Sequence, residues 1–260
     1  MTNLRRYGRA PFRVALLHGG PGAAGEMAPV ASKLSVDRGI LEPLQTATSV
    51  DGQIEELEGI LNEHADLPVV LVGFSWGAWL GFLLAARHPA LVSKLILIGS
   101  GPFEDAYATK IEETRLSRLG EEERRQAISF MDGLDDDSVK DKSAVLARLG
   151  KLFVRSDAYD SLPLDTQTLE CRYDIYRSVW RQAAELRSSG ELLKLGKQIR
   201  CPVVAIHGDA DPHPLEGVRA PLTVVLKDFR FVLLERCGHC PWIERHARRK
   251  FYEILGRELR

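Results

Sequence analysis

Gly73-Phe74-Ser75-Trp76-Gly77 sets a serine between two glycines, directly after a β-branched apolar run at 69–72. A serine hydroxyl is a weak nucleophile at neutral pH and needs a base within hydrogen-bond reach, itself oriented by an acid. Candidate partners lie far downstream. Two acids, Asp209 and Asp211, follow His207-Gly208, and His239 sits in Cys237-Gly238-His239-Cys240-Pro241-Trp242. A fourth stretch, His18-Gly19-Gly20-Pro21-Gly22, is of a kind that lets backbone N–H groups come close to a substrate oxygen. A phosphate loop is the other use of such glycines. No Gly-Lys-Ser/Thr follows here.

Each of these stretches begins where an apolar run ends. The runs at 12–17, 39–44, 69–72, 94–98, 201–206 and 229–234 predict strands. Helical spacing predicts helices at 26–34, 50–64, 79–87 and 244–259, with Ser49 as the N-cap of the second. Alternation of strand and helix implies an α/β fold, a mostly parallel central sheet with helices on both faces. In such a sheet the carboxyl ends of the strands share one edge, so Ser75, Asp211 and His239 can meet there. Between 103 and about 200 the strands stop and charge density rises. Helices are expected at 106–119, 121–131, 138–154 and 166–186, with Asp135-Asp136-Asp137 capping the third and Glu121 to Arg125 forming a solvated face.

Strand, G-x-S-x-G and helix in this order resemble the nucleophile elbow of the α/β-hydrolase family. The His-Gly-Gly-Pro-Gly loop and Ser75-Trp76-Gly77 are similar to the proline iminopeptidase branch of that family. The resemblance implies the triad order Ser75, Asp211, His239. It places the acid three residues after Gly208, leaving Asp209 as a turn former, with Asp105 as a weaker option. It implies an oxyanion hole from the N–H groups of Gly20 and Trp76, with His18 structural. It also implies a helical cap at 103–199 inserted into a core of 1–102 and 200–260. Because the oxyanion loop begins by residue 18, the sheet is expected to lack the family's first hairpin. Glu42-Pro43-Leu44-Gln45 departs from the Asp-x-x-Gly-x-Gly pattern found after that strand in the family. Among the other histidines, His64, His88 and His246 fall on helices. His213 is the nearest rival base, but it lies two residues beyond Asp211.

The 260-residue chain is 45% apolar with a formal net charge of −1, which gives no electrostatic footprint for nucleic acid or an anionic membrane. No run reaches the length of a membrane span. With 4 cysteines a disulfide scaffold is not expected, and a reducing cytoplasm is the default. Cys237-Gly238-His239-Cys240 has the C-x-x-C form of disulfide oxidoreductases, yet only residues 241–260 follow it, too few to complete a thioredoxin-type fold. Cys237, His239 and Cys240 lack a second ligand cluster for zinc, though the two thiols flank the base and a regulatory disulfide stays open. The expected function is serine hydrolysis of a small-molecule ester, carboxylesterase-type, by a monomer or homodimer needing no metal or organic cofactor. An aminopeptidase that binds the substrate's amino terminus through Glu112, Glu113, Glu170 or Asp174 is the alternative. A non-catalytic ligand-binding protein on the same fold is the third reading.

Overall fold

The computed structural model describes residues 3–163 and 170–260. In chain order the first half contains β1 (Leu4–Tyr7), β2 (Phe12–Leu17), β3 (Ala23–Ala24), α1 (Ala28–Leu34), β4 (Gly39–Pro43), α2 (Val50–His64), β5 (Val69–Phe74), α3 (Trp76–Arg87) and β6 (Val92–Ile98). A helical segment follows: α4 (Ile111–Ser117), α5 (Glu121–Asp135), α6 (Lys142–Ser156), then the short β7 (Glu170–Cys171), α7 (Tyr173–Ser188) and α8 (Glu191–Leu195). The chain closes with β8 (Val203–Gly208), α9 (Glu216–Val225), β9 (Phe229–Leu234) and α10 (Arg248–Glu258).

Seven strands form one sheet in the order β1-β4-β2-β5-β6-β8-β9. Only β1 runs antiparallel, pairing Leu4 with Pro43 and Tyr7 with Ile40. Along each parallel strand alternate residues enter opposite cores, as a period of two requires. Ala15 and Leu17 of β2 face the cluster built with α2, α3 and α7, while Val14 and Leu16 face the one built with α1 and α10. Burial on both faces is why β2, β5, β6 and β8 read as largely apolar runs. Strand order reverses between β2 and β5, a position where α/β sheets open a crevice beyond their carboxyl ends. The glycine-rich loop leaves β2 at that crevice, and Ser75 leaves β5.

The strands expected at 12–17 and 229–234 and the helix at 50–64 occur with those bounds. Ser49 caps α2, its hydroxyl accepting the N–H of Gly52 at 3.0 Å. No hairpin precedes β2 among the described residues; the single strand β1, too polar to stand out in sequence, pairs with β4 instead. The helix expected at 138–154 starts later, because Asp136 caps a turn by accepting Ser138 N–H at 2.8 Å and Asp141 caps α6 by accepting Ala144 N–H at 2.9 Å. The expected helix at 106–119 divides into a 3-10 turn at Asp105–Tyr107 and α4. The start of the helix expected from 166 falls outside the described residues; α7 begins at Tyr173. Helix α9 carries Pro221 within it, which hid it from helical pattern reading.

Candidate active site

Ser75 is the N-cap of α3 and adopts φ 51°, ψ −111°, a positive φ that a non-glycine residue takes only under constraint. The constraint is close packing. A β-carbon on Gly77 would lie 2.5 Å from the carbonyl oxygen of Leu17, and one on Gly73 would lie 2.1 Å from that of Gly77. Only hydrogen fits at either place. The N–H of Ser75 donates to Ile98 O at 2.9 Å, which ties the turn to the neighbouring strand. The first amides of α3 have no carbonyl four residues back within their helix, so they point out of its N-terminus. The Trp76 indole is buried, its Nε1–H donating to Gln53 Oε1 at 2.9 Å.

The glycine-rich loop lies beside this turn. Gly20 has φ +36°, and its carbonyl accepts Ala23 N–H at 2.9 Å. The loop continues into β3, which pairs antiparallel with β7 of the helical segment. His18 is fully buried and donates Nδ1–H to Gly19 O at 2.7 Å, while its Nε2 meets no partner among the described residues. Burial pushes its pKa down to about 4, so the ring is neutral at physiological pH and its contacts are those of a structural group. Glu26, the expected first residue of a helix, lies before α1 and beside the site. Its carboxylate accepts Gly19 N–H at 3.0 Å, and burial pushes its pKa up to about 7 against the opposing influence of His239 and that hydrogen bond. An acid placed directly after a glycine-rich loop was the available signal.

Asp211 and His239 come from the loops after β8 and β9. His239 Nδ1–H donates to Asp211 Oδ2 at 2.8 Å. Burial pushes the Asp211 carboxyl up, but His239, His213 and His207 outweigh it and hold the group well below the usual carboxylate range. Burial likewise depresses His239, and the Asp211 charge and hydrogen bond more than offset it, so its pKa lies above the ordinary imidazole value. The ring of Phe74, next to Ser75, lies 4.8 Å from that of His239 between centroids, which brings the elbow and the base to one place. Among the described residues no hydrogen bond joins Ser75 Oγ to His239.

Further residues hold the two loops. Asp209 is turned to the backbone: its Oδ1 accepts Cys237 N–H at 3.0 Å, and Ala210 N–H donates to Cys237 O at 2.9 Å, joining the Asp211 loop to the His239 loop. Glu244 is fully buried and its carboxylate accepts the N–H groups of Gly238, Tyr159 and Asp160 at 2.8, 2.8 and 2.9 Å. The N–H of His239 donates to Asp157 O at 2.9 Å, and the Asp157 carboxylate takes a two-pronged bond from Arg115 of α4, at 2.8 Å from Nε and 2.6 Å from Nη2. Arg118 donates to Ala210 O at 2.8 Å. None of these ties was visible in the sequence.

The remaining candidates lie elsewhere. Asp105 pairs with Arg187, His88 with Glu58 and His246 with Asp160, while His64 accepts from Arg6. Glu112, Glu113 and Asp174 are exposed, and Asp174 pairs with Arg172; the side chain of Glu170 lies outside the described residues. All four cysteines are free thiols, and burial raises the pKa of Cys237 and Cys240 away from the reactive range. Among the described residues the group able to offer a metal three ligands is Asp211, His213 and His239, whose donor atoms lie within 4.8 Å of one another. Both imidazole Nδ1 atoms there are already turned to the carboxylate. No helix among the described residues is long and apolar enough to cross a membrane.

A model of the alpha/beta hydrolase family matches residues 6–251. The pimeloyl-(acyl-carrier protein) methyl ester esterase of Aromatoleum aromaticum is 28% identical over 193 residues, 72% of this chain and 72% of its own. The solved structure of VinJ is similar with a TM-score of 0.68 at 18% identity, covering 98% of this chain and 93% of that one. Proline iminopeptidase of Mycobacterium smegmatis is similar with a TM-score of 0.62 at 17% identity, covering 98% and 93%. The last two are likenesses of fold.

Proposed function

Because this chain belongs to the alpha/beta hydrolase family and is a hydrolase, we propose that it cleaves a small-molecule ester through Ser75, His239 and Asp211. His239, held in one tautomer by Asp211 Oδ2, takes the proton of Ser75 as the hydroxyl attacks the ester carbonyl. The N–H groups of Gly20 and Trp76 receive the developing oxyanion, helped by the N-terminus of α3. Protonated His239 then gives its proton to the departing alcohol. Water, activated by the same imidazole, releases the acid and restores Ser75. The helical segment at 103–199 is the lid over this edge, and the core comprises 1–102 and 200–260.

The observation that carries this reading is the 2.8 Å bond from His239 Nδ1 to Asp211 Oδ2 on the sheet edge where the Ser75 turn stands. The esterase relative, whose name specifies a methyl ester, supports an ester over a peptide bond. The glycine-rich loop, similar to that of the proline iminopeptidase branch, favours the aminopeptidase reading, but exposure of Glu112, Glu113 and Asp174 weakens it. A fluorophosphonate probe followed by intact-mass measurement tests the proposal. One adduct, absent from Ser75→Ala and His239→Ala, is expected, and no adduct on folded protein would overturn it. Hydrolysis of p-nitrophenyl esters but not of proline amides would then separate the two substrates.

A further inference from the structure

Asp211 is shared between two imidazoles. Its Oδ2 accepts from His239, while its Oδ1 accepts both the backbone N–H of His213, at 2.9 Å, and His213 Nδ1–H, at 2.8 Å. The two rings lie 4.5 Å apart between centroids, inclined at 31°. The carboxylate itself is wholly covered, whereas the imidazoles of His213 and His239 keep 9% and 8% of their surface. The acid therefore meets the site only through those two rings. His207 fixes the arrangement from beneath, its Nε2–H donating to His213 O at 2.9 Å.

The backbone N–H of His213 already satisfies Oδ1. A second donor on the same oxygen is more than the avoidance of an unpaired buried group requires, and an apolar side chain could fill the space. What the extra N–H adds is a direction for the carboxylate and a share in its charge.

We propose that His213 is a positioning residue of the acyl-transfer reaction, gripping Oδ1 of Asp211 so that Oδ2 faces His239 in one orientation with part of the carboxylate charge drawn away. The inference rests on the Ser75–His239–Asp211 reading. Burial, aided by the neighbouring His239, pushes His213 to about 4, so near neutrality it is an uncharged donor. Removing that donor leaves more of the Asp211 charge to stabilise protonated His239. The base then holds its proton to higher pH. Other groups facing these two rings are His207 from β8, Arg115 from α4, Asp157 after α6, and Glu26 after the glycine-rich loop. All four persist in a His213 variant, so a difference between variant and parent isolates His213.

The test compares the parent protein with His213→Leu, which fills the space without a donor, and His213→Asn, which restores a side-chain N–H. The rate constant for fluorophosphonate labelling of Ser75 is measured against pH. Loss of a hydrogen bond to the acid is expected to move the acidic limb upward by about half a pH unit or more in His213→Leu, and His213→Asn is expected to bring it back towards the parent value. An unmoved limb in His213→Leu, or equal displacement in both variants, would overturn the proposal. His213→Ala serves as the donor-free variant if the leucine protein does not fold. Titration of His239 by NMR in the same proteins reads the shift without any reaction. If Ser75 never labels, the hydrolase mechanism fails, and the NMR titration still decides the role of His213.

Discussion

The two halves of the candidate site are held by different physics. Ser75 is placed by short-range sterics: glycines that tolerate no β-carbon, a helix whose buried face is apolar, and a strand enclosed on both sides. Asp211 and His239 are placed by long-range polar contacts, among them Asp209 to Cys237, Glu244 to three amides, and Arg115 to Asp157. Steric placement is insensitive to pH and salt, whereas polar placement carries the electrostatics of every partner. The Ser75 hydroxyl thus sits in a rigid mount, and His239 sits in one that charge can tune.

The largest expected effect strikes the steric half. Gly77→Ala should lower unfolding free energy by about 3 kcal/mol or more, since its methyl group meets the backbone carbonyl of Leu17 and cannot be relieved by a rotamer change. Urea unfolding measures it, and a loss below about 1 kcal/mol would show the elbow to be softer than its geometry. Arg115→Ala should cost about 3 kcal/mol by leaving the buried Asp157 carboxylate without its cation. Labelling of Ser75 should slow too, because Asp157 O holds the His239 amide. Arg115→Lys should recover little, as an ammonium cannot reproduce the two-pronged bond.

Glu26 crosses the divide, being a titratable group on the steric half. Its folded pKa of about 7 lies above the ordinary carboxylate value of 4.5, so the folded state binds a proton more readily than the unfolded one. Its charge therefore opposes folding above pH 7, and that cost disappears as pH falls from 7 towards 4.5. Glu26→Gln keeps an acceptor for Gly19 N–H. It should stabilise the protein by about 2 to 3 kcal/mol at pH 8 and by little at pH 5. Thermal melts at the two values check it, and equal changes at both would refute the assignment. The smallest effect is expected of Asp209→Asn, which keeps the oxygen that Cys237 N–H needs and should change stability by about 0.5 kcal/mol or less. A larger loss would mean that its charge, not its acceptor, joins the loops.

The same division explains what was legible from sequence. Ser75 could be found because its two glycines lie within five consecutive residues, and Asp211 and His239 because each follows a strand with an apolar signature. His213 was discounted as a base for being too near the acid in sequence, yet that closeness lets one residue give Oδ1 two donors. Arg115, Asp157 and Glu244 were unreadable because each acts on a partner brought near only by folding. Strand β1 escaped notice because an edge strand with polar residues lacks the apolar signature, and α9 because a proline interrupts its pattern. The acids at 112, 113 and 174 show the reverse: their type suggests a site, and the structure leaves them exposed.

Trp79 of α3 and Trp180 of α7 stack with centroids 5.9 Å apart and planes within 6°, while the Arg187 guanidinium lies 5.8 Å from the Trp79 ring. One indole belongs to the sheet's own helix and the other to the helical segment. Two indoles so close couple their electronic transitions, so the ultraviolet spectrum and emission of the stacked pair differ from those of separated rings. Of the 4 tryptophans, Trp76 and Trp242 sit in other surroundings. The protein thus carries an internal optical gauge of whether α7 rests on α3, readable without a label and separable from loss of the helices themselves.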